Sequence, residues 1–199
     1  MKKVILSIAL FCIVHTTFSQ SFMHGAGITI LGGYTNGGDF TFAEGLTYSP
    51  RFNFLETEKL SVSVGVPLSA GISATTSTTY DYNGYSYNDG SSSVSFVLNL
   101  PVIINLNMGR GSTKENRQKF GYFFGAGFGY NHGNFIGTSD YSQNGLTSSS
   151  DDNFGPVANG GLRFGVGRKH KNVELKFSYF KGINDKKPNI FGIAGLFNF

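Results

Sequence analysis

Residues 94–108 read VSFVLNLPVIINLNM, and every second side chain is apolar: Val94, Phe96, Leu98, Leu100, Val102, Ile104, Leu106 and Met108. The positions between them carry Ser95, Asn99, Asn105 and Asn107, interrupted by Val97, Pro101 and Ile103. A period of two puts the two sets on opposite faces of a β-strand. The alternation is longer than most strands of water-soluble proteins, and exceeds the roughly 9–11 residues that a tilted strand needs to cross a bilayer.

The same pattern recurs on both sides of this stretch. Leu60 to Ile72 sets Leu60, Val62, Val64, Val66, Leu68, Ala70 and Ile72 against Ser61, Ser63, Gly65, Pro67, Ser69 and Gly71. Asn189 to Phe199 (NIFGIAGLFNF) sets Phe191, Ile193, Gly195, Phe197 and Phe199 against Ile190, Gly192, Ala194, Leu196 and Asn198. Residues 25–34, 40–54, 120–131, 157–167 and 173–181 bring the count to eight strands, divided by Gly-, Asn-, Asp- or Ser-rich breaks. A proline inside a strand removes a ladder donor, so bulges or local breaks in pairing are expected at Pro67 and Pro101.

The composition suits tightly packed β structure: 28 Gly, 20 Phe, 10 Tyr, no Trp and 14% charged residues. Met1–Gln20 reads as an export leader, with Lys2 and Lys3, an apolar Val4–Val14 stretch and a Thr17-Phe18-Ser19 cleavage site. Its apolar stretch is short of the ~20 residues that span a bilayer. Residues 1–19 are thus expected to leave, and 20–199 to form one domain. The single cysteine, Cys12, lies in the leader and follows Phe11 rather than the small residue of a lipoprotein signal. No disulfide or thiolate metal site is expected beyond it. The 16 basic residues include Lys2 and Lys3, so 14 remain against 12 acidic ones, which is no basic face for nucleic acid.

Which face meets which solvent decides the class. A soluble barrel turns its apolar face inward. Here the other face is Gly, Ser, Asn and a few charges, with little bulk to fill an apolar core. The Phe-, Leu- and Val-rich face is therefore expected to meet lipid, with Tyr48, Tyr122, Tyr130 and Tyr179 among its interface anchors. The fold expected is all-β: a transmembrane eight-stranded antiparallel up-and-down β-barrel, closed so that no edge is free. An even count puts both ends in the periplasm. The connections 56–59, 109–119 and 168–172 are then periplasmic, and 35–39, 77–92, 132–154 and 182–188 external. Arg110, Lys114, Arg117, Lys119, Arg168, Lys169 and Lys171 decorate the periplasmic connections as solvated hairpin ends, whereas Asp81, Asp89, Asp140, Asp151 and Asp152 fall outside.

VLNLPVIINLN (97–107), with its mid-strand proline, resembles a segment of the PorT-like outer-membrane β-barrel family of Bacteroidetes, and VSVGVPLSAG (62–71) is a weaker echo. YFFGAGFGYN (122–131) is similar to strands of those barrels and of outer-membrane protein A and X type barrels. The alternating C-terminal strand ending on Phe199 resembles the sorting and assembly signal of bacterial outer-membrane barrels. The resemblance implies an eight-stranded barrel in the bacterial outer membrane and carries over no functional residue.

The candidate chemistry lies in the lumen. If 168–171 is a four-residue hairpin loop, Arg163 stands opposite Lys176 with Glu174 on its diagonal, within reach of long side chains. Arg51 also points inward. Bases alone would repel in a low-dielectric lumen, so Glu174 is expected to pair with them. An internal ion network is the bland reading, and a proton- or ligand-binding site at Arg51, Arg163, Glu174 and Lys176 the sharper one. Eight strands leave room for side chains or one small ligand, which argues against a general porin. His24, His132 and His170 are too dispersed for a metal site, and no cofactor is expected. His132 precedes Ser139, Ser142 and Ser148–Ser150, but no His-x-Ser or Gly-x-Ser-x-Gly spacing occurs, so no catalytic residue is assigned. Tyr80, Tyr82, Tyr85 and Tyr87 surround the turn signal Asn83-Gly84 in loop 77–92. They either extend the strands above the membrane or offer an external protein or glycan a surface. The expectation is a monomeric barrel bathed in outer-membrane lipid, with a structural, adhesive or ligand-contact role and no catalysis. The alternatives are a lipid A-modifying enzyme and a secreted soluble ligand-binding β-barrel.

Overall fold

The computed structural model describes residues 21–34, 40–77, 91–133, 151–167, 171–184 and 187–199. The export leader, Tyr80 to Tyr87, Ser139 to Ser150 and His170 lie outside the described residues. Nine strands occur among those described: β1 (Ser21–Tyr34), β2 (Thr41–Phe54), β3 (Leu60–Gly65), β4 (Leu68–Ser77), β5 (Ser91–Gly109), β6 (Phe120–Gly133), β7 (Asp151–Gly165), β8 (Asn172–Lys181) and β9 (Asn189–Asn198). All pair antiparallel with their neighbours in the chain, β3 and β4 together filling one place between β2 and β5. Pairing of β1 with β9, from Gly25↔Asn198 to Tyr34↔Asn189, closes the ring. The result is an eight-membered up-and-down barrel whose third member is interrupted.

The interruption sits at Val66-Pro67 and has a simple cause. Val66 N–H donates to Pro50 O at 3.0 Å, on the β2 side, so the nitrogen of Pro67 faces β5. The register is the same on both sides of the gap: Gly65 pairs with Ile103 and Ser69 with Asn99, which sets Pro67 opposite Pro101. Residues directly opposite one another in an antiparallel pair turn their nitrogens the same way, both toward the partner or both away. The two missing donors therefore fall in one place, and one pair of ladder bonds is lost instead of two separate ones. A break in pairing occurs, as the prolines suggested, but no bulge: no residue is inserted, and β5 runs through Pro101 paired with Gly129 of β6.

Three strand limits also move. β1 begins at Ser21, β5 extends to Ser91, and β7 begins at Asp151 and not at 157, so the ends of the expected 132–154 loop belong to β6 and β7.

Exposure follows the alternation closely. Leu46 is 70% exposed and Val94 69%, whereas Asn53, Ser63 and Asn107 are fully buried. That is the reverse of a water-soluble barrel, and a continuous apolar exterior of this kind needs hydrocarbon around it. Aromatic rings gather at both ends of the wall. Where β1 begins and β9 ends, Phe199 packs on His24 with centroids 4.3 Å apart, and Phe120 on Phe164 at 5.4 Å. At the far end, Tyr179 meets Phe191 at 5.0 Å and Tyr130 meets Phe154 at 5.0 Å. Aliphatic side chains such as Ile28, Leu46, Ile72, Val102, Ile104 and Ile193 fill the belt between, all exposed. Two aromatic girdles around an aliphatic band is the surface that a bilayer selects. No helix among the described residues is long and apolar enough to cross a membrane.

The lumen is bulkier than its small-residue pattern suggested. Leu31, Ala43, Val97, Ile103, Val157, Phe180 and Ile190 form one buried apolar cluster, mostly in the far half of the barrel. The polar inward residues collect toward the end where β1 begins.

Two substitutions test the faces. Leu100→Arg, on the exterior near the middle of β5, is expected to cost ~2–4 kcal/mol if that position lies near the lipid midplane. Asn99→Ala faces inward and removes an amide oxygen that has no partner, so its effect should stay within about 1 kcal/mol. Urea titrations of the protein folded in lipid vesicles measure both, and equal costs would overturn the face assignment.

Candidate functional site in the barrel lumen

Strand parity turns Arg51 of β2, Arg163 of β7 and both Glu174 and Lys176 of β8 into the lumen, where none exceeds 7% exposure. Arg163 stands directly opposite Glu174, and Gly161 opposite Lys176. The expected Arg163–Lys176 opposition is therefore corrected by one step of the inward face. The cause is the connection: pairing ends at Gly165↔Asn172, so the linker is longer than four residues and shifts the register by two.

One carboxylate oxygen organises the cluster. Glu174 Oε2 accepts from Arg163 Nε at 2.7 Å, Arg51 Nη1 at 3.2 Å and Asn198 Nδ2 at 3.1 Å. Arg163 Nη1 donates onward to Asn107 Oδ1 at 2.9 Å, while Asn107 Nδ2 donates to Ser63 Oγ at 2.9 Å. The guanidinium of Arg163 also lies 4.2 Å above the Phe123 ring, a cation–π contact in a place shielded from water. Charge-assisted bonds of this kind are the strong ones. They are also obligatory here, because a buried guanidinium left bare would be far costlier than the bonds are worth.

The segment after β5 completes the network. Residues 110–116 were expected to form a solvated turn, yet Arg110, Gly111, Ser112, Thr113 and Asn116 are buried. They tuck into the mouth of the barrel as a plug. Gly111 O accepts from Arg51 Nη2 at 3.3 Å and Arg163 Nη1 at 3.4 Å. Ser112 O accepts from Ser61 Oγ at 2.6 Å and Asn53 Nδ2 at 2.9 Å. Arg110 donates to Asn116 O at 3.2 Å and Lys171 O at 2.8 Å, so it ties the plug to the next hairpin and is no solvated cation. The physical reason is supply and demand: two buried arginines carry more donors than one glutamate can accept, and backbone carbonyls meet the remainder.

Gly111 makes this docking possible. Its φ is +75°, a region favouring glycine, and an added Cβ would stand 2.9 Å from Arg163 Cδ and 3.2 Å from Asn172 Nδ2. Gly111 and Phe123 escaped the sequence reading, and Asn107 and Arg110 were read only as an inward strand residue and a solvated hairpin end. The signal was available in part, because residues 109–119 hold two glycines and are long for a periplasmic turn.

Among the described residues, two cavities of about 20 Å³ each lie inside. One is bounded by Arg51, Asn105, Asn159, Arg163, Glu174 and Lys176, the other by Leu31, Pro67, Pro101, Ile103, Phe180 and Lys176. Each has room for about one water. At the far rim a separate polar group faces outward: Asp152 Oδ1 accepts from Tyr130 Oη at 2.7 Å and lies 2.6 Å from His132 Nδ1. Among the described residues, no group of three or more His, Cys, Asp or Glu side chains is placed to hold a metal ion.

Two changes probe the network. Glu174→Gln leaves Arg51 and Arg163 together without a counter-charge, and should cost about 3–5 kcal/mol. Gly111→Val forces a β-branched residue into a left-handed backbone against Arg163, and should cost at least ~1–3 kcal/mol. Urea midpoints in vesicles read both, and a neutral Gly111→Val would show that the plug does not depend on this contact.

No protein-family model and no curated protein matches the chain. Among solved structures it is similar to Neisserial surface protein A, with a TM-score of 0.52 and 10% identity over 90% of this chain and 97% of that one. It is similar also to Ail, the attachment invasion locus protein of Yersinia pestis, with a TM-score of 0.52 and 10% identity over 90% of this chain and 98% of that one. A structure of Ail in complex with the heparin analogue sucrose octasulfate gives a TM-score of 0.50 at 12% identity, over 90% and 98% of the two chains. At these identities the likeness is one of fold, and the fold is that of small eight-stranded outer-membrane β-barrels.

Proposed function

We propose that this chain is a sealed outer-membrane β-barrel that acts through its wall and its external connections, in a structural, adhesive or ligand-contact role without catalysis. The observation that carries the reading is the filled lumen. Residues 110–116 and the Arg51–Glu174–Arg163 network occupy one half, and the Leu31–Val97–Val157–Phe180–Ile190 cluster the other. Filling of this kind among the described residues supports a barrel closed to solutes, whose capacity to act lies at its surfaces.

Several narrower statements belong to the same reading. Residues 1–19 act as the export leader, and 20–199 reside in the bacterial outer membrane. Lipid contacts the apolar belt, and an external protein or glycan contacts the loop 77–92. A ring closed by β1 and β9 leaves no edge that needs a second copy, which supports a monomer. The paired prolines inside VLNLPVIINLN and VSVGVPLSAG support the kinship with PorT-like barrels of Bacteroidetes. The same residues Arg51, Arg163, Glu174 and Lys176 serve first as the internal scaffold of the wall.

The His132–Asp152 pair favours a second reading, because a carboxylate orienting an imidazole is half of a nucleophile-activating arrangement. Such a pair at the outer rim of a barrel would act on lipid A, with a serine from the following loop.

Planar bilayer recordings of the purified protein test the first reading. No steady unitary current is expected in molar potassium chloride, and reproducible conductance steps would overturn the sealed-barrel assignment. Lipid A mass spectra from cells with and without the protein test the second. An unchanged profile is expected, and a lost or gained acyl chain that depends on His132 would establish the enzyme instead.

A further inference from the structure

Among the described residues, the buried side chains around Glu174 hold more positive charge than its carboxylate can balance. Arg51, Arg163 and Lys176 face Glu174, an excess of two positive charges among side chains that are all at least nine-tenths buried. Both arginines already share Glu174 Oε2. Lys176 lies two residues further along the same face of β8, and makes no hydrogen bond or ion pair among the described residues. It borders both interior cavities. The Nε–H of Arg51 is likewise buried without a partner. Arg110 in the plug adds a further cation nearby, and Glu56, bonded by Ser21 Oγ at the mouth, does not border the cavity. An ammonium on a side chain only 7% exposed, with no hydrogen bond of its own and Glu174 already shared by two arginines, is stabilised by any further anion that meets it.

We propose that the cavity bounded by Arg51, Asn105, Asn159, Arg163, Lys176 and the carboxylate of Glu174 binds one small monovalent inorganic anion of the halide class. Lys176 Nζ and Arg51 Nε supply the donors. Asn105 and Asn159 line the same space, and the oxygen of each amide has no partner. A half-turn of either amide presents its NH₂ group instead. The volume of about 20 Å³ suits a single ion of nearly water size and excludes phosphate or sulfate. Glu174 stays with the arginines, so the ion completes the charge balance without displacing a bond. Arg51 and Arg163, which donate to Gly111 O, stand between the cavity and the plug, and the neighbouring cavity bordered by Lys176 reaches the apolar cluster, so the ion is captured as the barrel closes.

The test follows from that order of events. The protein is refolded from urea into detergent in sodium bromide, and separately in sodium gluconate at equal ionic strength. Crystals from the bromide preparation are expected to show one anomalous peak inside the barrel beside Lys176 Nζ. The unfolding midpoint is expected to be higher in bromide or chloride than in gluconate, by about 3 °C or more. Lys176→Met should fold to the same heat-modifiable form and lose both the peak and the halide dependence. Anomalous peaks confined to the outer surface, an adventitious ion only, would overturn the proposal. So would a halide effect unchanged in Lys176→Met. Should that variant fail to fold, Lys176→Gln or the wild-type anomalous peak alone decides the matter.

Discussion

A backbone amide in hydrocarbon has no water to turn to, so every strand of this protein must find its hydrogen bonds in a neighbour on each side. Closure of β1 onto β9 is the contact on which the remainder depends. Without it two long edges would lie open, and no arrangement of side chains could compensate. The same constraint explains the prolines. A central strand tolerates a missing donor poorly, yet Pro67 and Pro101 stand opposite one another, so that their losses coincide in one gap. The register continues across it unchanged, and the wall keeps its alternation on either side.

Once the ring is closed, its interior becomes a second problem of the same kind. Buried polar groups must be paired, and the barrel is too narrow to hydrate them freely. Arg51 and Arg163 converge on Glu174, spend further donors on Asn107 and Gly111 O, and leave Lys176 facing a small cavity. The plug is part of that solution. Its carbonyls accept what the glutamate cannot, and Gly111 carries no side chain to hold them away from Arg163. Charge in the wall thereby folds a connecting segment inward, and the folded segment closes the mouth.

The architecture was legible because a period of two has few interpretations. Phe191, Ile193, Phe197 and Phe199 face outward, and Gly192, Ala194, Leu196 and Asn198 inward, as the alternation in the last strand requires. Arg51, Arg163, Glu174 and Lys176 were readable as inward residues for the same reason. Their partners were not. Whether Arg163 meets Lys176 or Glu174 turns on the length of one hairpin connection, and a shift of two residues keeps every side chain on its face. Phe123 was hidden in a strand whose inward positions from Gly121 to Gly129 are otherwise glycine, and its value as a platform for Arg163 needs β6 and β7 side by side.

By itself the sequence determined which side chains meet lipid and which meet the lumen, because alternation is a property of the local backbone and survives any register. Only the tertiary structure decided who pairs with whom. The Pro67–Pro101 gap, the two arginines on one carboxylate and the inward fold of residues 110–116 all depend on how far strands slide past each other. That offset is set by the closing of the whole ring, which no single segment encodes.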